Sequence, residues 1–147
     1  MRYVHTMIRV TDLEESLDFW VNKVGMIMIR QADNPAGKYT NTFLAAPKDV
    51  ARAKQERAPE LELTYNWDSD EVYETGRSWG HLAYKVDDIY AFCQKLMDAG
   101  VTINRPPRDG RMAFFKSPDH VSVELIQDGD ALPVQEPWAS MPNDGSW

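Results

Sequence analysis

The sequence predicts an α+β fold made of two tandem β-α-β-β-β repeats, because the chain matches itself at a fixed offset. VHTMIRVTDLEESLDFWVNKVGM and GHLAYKVDDIYAFCQKLMDAGVT both read as a strand followed by a helix. Shifting one copy of the chain by 76 residues superimposes His5 on His81 and Asp12 on Asp88. Three strand-like segments follow each helix. Self-similarity of this kind indicates a duplicated structural unit.

The two predicted helices begin at aspartates and end at glycines. Asp12, with Glu15 three residues later, resembles a capping box, and Asp88 stands at the equivalent place in the second repeat. Apolar stripes with helical spacing follow, and Gly25 and Gly100 are natural helix stops. The first stripe is Leu13, Leu17, Trp20, Val21 and Val24, and the second is Ile89, Phe92, Cys93, Leu96 and Met97.

Three further strands are predicted in each repeat. They are MIMIRQAD, YTNTFLAA and LELTYNW in the first, and VTIN, RMAFFKS and VSVELIQ in the second. The charged segment APKDVARAKQERAPE reads as a loop or a short surface helix. We therefore expect a first module at residues 1–70 and a second at 78–128, together forming a single domain. The acidic, proline-containing tail at 129–147 should lie across the surface or be loose, with part of it packed through its tryptophans.

Composition narrows the class of protein. A chain of 147 residues, 43% hydrophobic and 27% charged, is typical of a soluble globular domain. The single cysteine excludes an internal disulfide framework and fits a reducing compartment. Neither an apolar signal-peptide core nor an apolar run of membrane-spanning length is visible, so we expect a cytoplasmic protein without a membrane partner.

The net charge of −7 has a consequence for ligands. With 23 acidic against 16 basic residues, the chain is a poor partner for nucleic acid. An anionic ligand must then be held by local arginines, because the overall field of the protein repels it.

Four side chains of metal-binding type recur at equivalent positions in the two repeats. His5 and His81 stand near the starts of the equivalent first strands, and the last strands align Glu62 with Glu124. A single histidine or glutamate on a half-polar strand is usually structural, but four at repeat-equivalent positions indicate a common role. Two imidazoles and two carboxylates, with positions left for water, suit a divalent metal such as Ni, Co, Fe or Zn.

Polar side chains lie beside this predicted metal site. Strand alternation puts Arg9 on the face of His5 and Asn66 on the face of Glu62, and Arg77 precedes His81 by four residues. Arginine binds carboxylates in bidentate fashion. Arginines near a metal in an acidic protein therefore suggest a substrate that carries carboxylates.

These residues also carry a resemblance to a known family. HTMIRVTDLEESLDFWVNKVGM, LELTYNW, GHLAYKVDD and ELI together resemble glyoxalase I, the lactoylglutathione lyases of the vicinal-oxygen-chelate superfamily, over about residues 1–127. The doubled plan alone would support only the superfamily. Two departures concern the glutathione end of the site: the family's Asp-Pro-Asp-Gly turn is Ser-Pro-Asp-His at residues 117–120, and the loop around Arg111 is short.

The resemblance implies a barrel-like sheet cavity and a homodimer with two active sites at the subunit interface, each shared between halves of different chains. It implies a role for each matching residue. His5, Glu62, His81 and Glu124 match the metal ligands, Arg9 and Asn66 match residues that hold the γ-glutamyl end of glutathione, and Arg77 and Arg105 match positions that reach its glycyl carboxylate.

The implied reaction isomerises the hemithioacetal of methylglyoxal and the co-substrate glutathione to S-lactoylglutathione. A divalent metal stabilises the enediolate as a Lewis acid, and a carboxylate moves the proton between neighbouring carbons. Glu124 is the candidate base, and Glu62 is its near-symmetric counterpart.

Alternatives remain at the level of the sequence. An extradiol-type dioxygenase, an epimerase of coenzyme A thioesters, and a metal-free binding or resistance protein would all use the same fold. Glu62 and His81 are only 19 positions apart, and this compact spacing favours Ni²⁺ among family members, with Zn²⁺ or Co²⁺ open. Another thiol could also replace glutathione.

Overall fold

Two four-stranded sheets carry the fold, one in each half of the chain. The structure, a computed structural model, describes residues 1–147 and divides them into two compact units, Met1–Glu74 and Thr75–Trp147. The predicted duplication is confirmed, because both sheets have the order first-fourth-third-second strand of their unit. Each sheet is open, and the barrel-like cavity stays a prediction. No helix combines the length and the apolar character that crossing a membrane requires.

The first unit follows the predicted β-α-β-β-β plan with one added short helix. Its elements are β1 (His5–Val10), α1 (Leu13–Leu17) continued by a π-helical segment (Asp18–Val24), β2 (Ile27–Asn34), β3 (Tyr39–Ala45), a 3₁₀ turn (Pro47–Asp49), α2 (Val50–Glu56) and β4 (Glu60–Asn66). β4 lies in the sheet between β1, to which it is parallel, and β3, to which it is antiparallel. This central position of β4 places Glu62 between two strands.

The second unit repeats the plan. Its elements are β5 (Leu82–Val86), α3 (Ile89–Asp98), β6 (Ile103–Arg105), β7 (Met112–Lys116) and β8 (Ser122–Gln127). β8 is parallel to β5 and antiparallel to β7, so Glu124 occupies the same central strand as Glu62 does in the first unit.

The predicted helix boundaries are confirmed by their capping groups. The Asp12 carboxylate accepts a hydrogen bond from the Glu15 backbone N–H at 2.9 Å, and Asp88 accepts one from Ala91 at the same distance. At the other ends, Gly25 and Gly100 have φ values of 96° and 79°. These left-handed conformations cost glycine little, which explains why both helices end there.

The first helix differs from the prediction in its buried face. Beyond Leu17 the backbone widens to the i→i+5 pattern of a π-helix. Ser16, Trp20 and Val24 are buried together with Phe19, whereas Leu13, Leu17 and Val21 of the predicted stripe are only half-buried. The buried face of this helix therefore shares Trp20 and Val24 with the predicted stripe and adds Ser16 and Phe19.

The C-terminal tail lies across the second unit. Trp138 is only 4% exposed and stacks on Tyr90, with ring centres 6.0 Å apart. The Leu132 N–H donates to the Gly110 carbonyl at 3.0 Å, and a Cβ at Gly110 would come within 2.1 Å of the Leu132 oxygen. Glycine is therefore required where the tail crosses this loop.

Cys93, the single cysteine, lies on the inner face of α3. Its side chain is fully buried, and this burial raises the pKa of the thiol to about 12. Because the thiolate is the reactive form, Cys93 is a packing residue.

Candidate metal centre

The first unit brings His5 and Glu62 together. β1 and β4 are parallel and paired so that Met7 is opposite Glu62, which puts His5 on the same face one step along the strand. His5 Nε2 lies 3.0 Å from Glu62 Oε2. Glu62 is 8% exposed, so its carboxylate sits at the edge of the buried region and not in open solvent.

The second unit repeats this pair with His81 and Glu124. His81 directly precedes β5, and Ala83 is opposite Glu124 in the parallel β5–β8 pairing. His81 Nε2 lies 2.9 Å from Glu124 Oε2. The sequence-predicted pairs are thus brought together within each unit, with the same atoms facing each other.

A phenylalanine supports each histidine ring. Phe43 of β3 is opposite Glu62 and meets His5 edge-on, with ring centres 6.0 Å apart. Phe114 of β7 is opposite Glu124 and meets His81 edge-on at 5.4 Å. Sequence comparison missed both phenylalanines, although extending the repeat alignment to the third strand of each half would have paired Thr-Phe-Leu with Ala-Phe-Phe.

The two phenylalanines are covered by different groups. In the first unit the Arg30 guanidinium lies over Phe43 and binds the buried carboxylate of Glu60. In the second unit Trp147 of the tail lies beside Phe114, with ring centres 6.0 Å apart. Both units therefore have the same histidine, glutamate and phenylalanine, but a different side chain contacts the phenylalanine ring in each unit.

Glu62 has a further partner on its own sheet. Asn41 Nδ2 donates to Glu62 Oε1 at 2.6 Å, and Thr64 Oγ1 donates to Asn41 Oδ1 at 3.0 Å. The two carboxylate oxygens of Glu62 are thus used separately, one toward Asn41 and the other toward His5. Neither Asn41 nor Thr64 was among the sequence-predicted site residues, because the contact depends on the register of β3 against β4.

The predicted substrate-binding residues lie in different surroundings. Arg9 is exposed and paired across the sheet with Thr64, on the face of Glu62. Asn66 Nδ2 donates to the Tyr73 hydroxyl at 3.0 Å. Arg77 is exposed in the segment before β5.

Arg105 is engaged within the second unit. Its guanidinium donates to Asp109 Oδ2 at 2.8 Å and to the Met112 carbonyl. Burial acts against the charge of Asp109, but hydrogen bonds from Arg105 and from the Arg111 and Met112 N–H groups hold the pKa of Asp109 below its usual value. A role of Arg105 in substrate binding stays a prediction.

The donor atoms suit a divalent transition metal. Each unit supplies one imidazole nitrogen and one carboxylate oxygen, and no group of three or more His, Cys, Asp or Glu side chains in the chain could hold a metal ion. The separations of 3.0 and 2.9 Å leave the imidazole nitrogen and the carboxylate oxygen of each pair close enough to bind the same ion.

Comparison with known proteins places these features in a family. The family model of the Glyoxalase/Bleomycin resistance protein/Dioxygenase superfamily matches residues 2–125. A lactoylglutathione lyase of Haemophilus influenzae is 40% identical over 132 residues, which cover 86% of this chain and 93% of the relative.

Comparison with solved structures indicates the same family. The trypanothione-dependent glyoxalase I of Leishmania major superimposes with a TM-score of 0.76 at 34% identity, covering 87% of each chain. Glyoxalase I of Zea mays gives a TM-score of 0.73 at 33% identity, covering 88% of this chain and 45% of the maize chain. With its duplicated sheet and its two matching His–Glu pairs, the chain therefore belongs to the glyoxalase/bleomycin resistance protein/dioxygenase superfamily and, within it, to the lactoylglutathione lyase (glyoxalase I) family.

Proposed function

We propose that the protein isomerises the hemithioacetal of methylglyoxal and glutathione to S-lactoylglutathione, using one divalent metal ion per site. The observation that carries this proposal is the repeated pair of a histidine and a glutamate, with nitrogen and oxygen 3.0 and 2.9 Å apart. The reaction is inferred from family membership. The two His–Glu pairs provide nitrogen and oxygen atoms suited to the metal that this reaction uses.

His5, Glu62, His81 and Glu124 would hold the metal. Imidazole nitrogens and carboxylate oxygens bind Ni²⁺, Co²⁺ and Zn²⁺. The compact spacing of Glu62 and His81, 19 positions apart, favours Ni²⁺ or Co²⁺ among family members. When bound, the ion supplies Lewis-acid stabilisation of the negative charge that develops on the substrate oxygens.

The glutamates supply the proton transfer. In the hemithioacetal the C–H beside the carbonyl must lose its proton, and the neighbouring carbon must gain one. Glu124 would take the proton from the hydroxyl-bearing carbon and return it to the neighbouring carbon, while the hydroxyl proton passes to the former ketone oxygen. The hydroxyl-bearing carbon thereby becomes the thioester carbonyl, and the ketone carbon becomes the new alcohol. Glu62, which accepts a hydrogen bond from Asn41, is the near-symmetric counterpart of Glu124.

Polar groups around the pairs would orient the substrate. Arg9 and Asn66 are the candidates for the γ-glutamyl end of glutathione, and Arg77 is the candidate for its glycyl carboxylate. The exposed Arg9 guanidinium on the face of Glu62 supports this assignment, because an acidic protein needs a local cation to hold an anion.

We propose further that two chains complete each site, so that a first-unit pair from one chain meets a second-unit pair from its partner. Each unit contributes only half of the four-ligand set. The chain covers 45% of the maize glyoxalase I chain, which leaves room in that protein for a second region of similar size. A homodimer would provide the equivalent of this longer chain.

The test is a spectrophotometric assay of thioester formation from methylglyoxal and glutathione, using protein stripped of metal and then reloaded. Reloading with Ni²⁺ should restore thioester formation, and omitting glutathione should abolish it. A reloaded enzyme that binds the metal but forms no thioester would refute the reaction.

The identity of the thiol co-substrate needs a separate test. The Leishmania relative is named as trypanothione-dependent, so a different thiol deserves a direct comparison. Hemithioacetals prepared from glutathione and from trypanothione should be compared by kcat/KM, and we expect glutathione to be the better substrate. A preference for trypanothione would leave the reaction unchanged and reassign the co-substrate.

A dioxygenase is the nearest alternative on this fold. It requires two histidines and one carboxylate around Fe²⁺, with open positions for oxygen. The fourth candidate ligand argues against it. Oxygen uptake with a catechol after Fe²⁺ loading would favour the dioxygenase.

A further inference from the structure

The geometry points to a division of labour between the two glutamates: Asn41, itself held by Thr64, is a positioning residue that fixes Glu62 as the stationary metal ligand. This inference rests on the proposed metal site. It concerns residues outside the ligand set, and it explains how two carboxylates at repeat-equivalent positions can behave differently.

The amide of Asn41 is oriented by its two neighbours. Thr64 Oγ1 donates to the Asn41 carbonyl oxygen at 3.0 Å, so the amide NH₂ group is turned toward Glu62. From there it donates to Glu62 Oε1 at 2.6 Å. Reversing the amide would place its oxygen against the carboxylate and its NH₂ against the Thr64 hydroxyl, which removes the favourable charge-assisted hydrogen bond.

The strand register explains why these three residues meet. Asn41 is directly opposite Thr64 in the antiparallel β3–β4 pairing, while Phe43 is opposite Glu62. Side chains two residues apart on one strand share a face, so Asn41 reaches Glu62 diagonally. The whole group lies on the face that carries His5.

The second unit lacks this support. There Phe114 is opposite Glu124, and the positions of Asn41 and Thr64 are taken by Met112 and Ile126, which are again opposite each other. The thioether and the alkyl side chain of these residues cannot donate a hydrogen bond to a carboxylate. The two pairs therefore agree at histidine, glutamate and phenylalanine and differ at this one neighbour.

This difference has a consequence for function. A metal-binding carboxylate that is also hydrogen-bonded keeps its orientation, and such outer partners typically strengthen metal binding about 10–100-fold. A carboxylate without a donor on its second oxygen is freer to leave the ion and reach the substrate. Asn41 thus assigns the ligand role to Glu62 and leaves the mobile role to Glu124.

The experiment measures metal affinity instead of turnover. Asn41→Leu removes the amide at similar size, and Thr64→Val removes only the hydroxyl. The matched control is Met112→Leu, a volume-conserving change at the equivalent position of the second unit. Ni²⁺ dissociation constants of the stripped full-length proteins are obtained by competition with a chromophoric chelator, and the melting temperature of the metal-free form is recorded alongside.

We expect Asn41→Leu to weaken Ni²⁺ binding about 10–100-fold. Thr64→Val should weaken it less, and Met112→Leu should leave it unchanged. In the Asn41→Leu background, Thr64→Val should have little further effect, because Thr64 acts through Asn41. At saturating Ni²⁺, Asn41→Leu should recover most of its kcat.

Three outcomes would overturn the inference: unchanged Ni²⁺ affinity in Asn41→Leu, an equal loss in Met112→Leu, or a full additional loss when Thr64→Val is added to Asn41→Leu. If Asn41→Leu lowers the metal-free melting temperature strongly, Thr64→Val provides the same comparison with a smaller change. A wild-type protein that binds no Ni²⁺ would instead refute the proposed metal site, which keeps the two failures distinct.

Discussion

The guanidinium carbon of Arg30 lies 3.6 Å from the centre of the Phe43 ring. Arg30 also donates to both oxygens of Glu60, one of them at 2.8 Å, and the Glu60 side chain is completely buried. The arginine thus neutralises a buried carboxylate and covers the ring that contacts His5. This link makes the stability of the first sheet and the position of a candidate ligand depend on one residue.

Replacing Arg30 by alanine should destabilise the protein strongly. The change leaves the Glu60 carboxylate buried without its counter-ion, which should lower the free energy of unfolding by about 3 kcal/mol. Urea denaturation followed by circular dichroism measures this loss. The control is Arg52→Ala, which breaks an exposed ion pair with Glu56 and should cost less than about 1 kcal/mol. Equal losses in the two variants would contradict the importance of burial.

The tail should contribute to the stability of the second unit through Trp138. Because this indole is buried and stacked on Tyr90, Trp138→Ala should lower the free energy of unfolding by about 3–5 kcal/mol. Val134→Ala is the control within the same tail, since Val134 is 65% exposed, and its effect should stay within about 0.5 kcal/mol. Chemical denaturation of both variants decides whether the tail is an integral part of the unit.

The choice of metal is predicted from the compact spacing of Glu62 and His81. If the four proposed ligands leave two positions of an octahedral ion for water, Ni²⁺ and Co²⁺ should restore thioester formation well to stripped protein, and Zn²⁺ should restore it poorly. The measurement is kcat with each metal at an occupancy confirmed by elemental analysis. Equal or higher activity with Zn²⁺ would reverse the metal assignment and leave the reaction standing.

Subunit exchange tests how a site is assembled. His5→Ala and His81→Ala chains should each be inactive alone, because each removes one ligand from every site. When they are mixed and allowed to exchange, one of the two sites in a mixed dimer should regain all four ligands, and thioester formation should return. Unchanged inactivity after exchange, confirmed by mass spectrometry of the mixed dimer, would argue for sites completed within one chain.

Glu124→Gln should separate catalysis from metal binding. Glutamine keeps the size of the side chain and an oxygen donor but is not basic, so kcat should fall about 10²–10⁴-fold. Metal content should fall less than activity. Glu62→Gln is the matched variant, and it should lose relatively more metal because Glu62 is the carboxylate fixed by Asn41. Near-normal turnover in Glu124→Gln would move the base to another residue.

Local signals in the sequence were sufficient to predict the helix ends and the order of helices and strands along the chain. Asp12 and Asp88 cap their helices, and Gly25 and Gly100 end them, because these conformations depend on neighbouring backbone alone. The apolar stripe of the first helix was wrong in part. Nothing in its spacing distinguishes an α-helix from the wider π-helix that follows Leu17.

The candidate site also contains residues that the sequence predicted and residues that it did not. The duplication itself exposed His5, His81 and both glutamates, because equivalent positions can be compared within one chain. Asn41 was invisible to that comparison, since its partner in the repeat is Met112 and its contact depends on strand register. The substrate-binding role of Arg105 stays a prediction, and spacing alone did not reveal that its guanidinium donates to Asp109, four residues away.

The placement of Cys93 matters for a protein that handles electrophilic aldehydes. Its thiol is fully buried and has a pKa of about 12, so almost no nucleophilic sulfur is available at neutral pH. The folded enzyme should therefore resist covalent capture of methylglyoxal at sulfur. A colorimetric thiol reagent, added to the folded protein during turnover, should report the free glutathione in the cuvette with no contribution from the polypeptide.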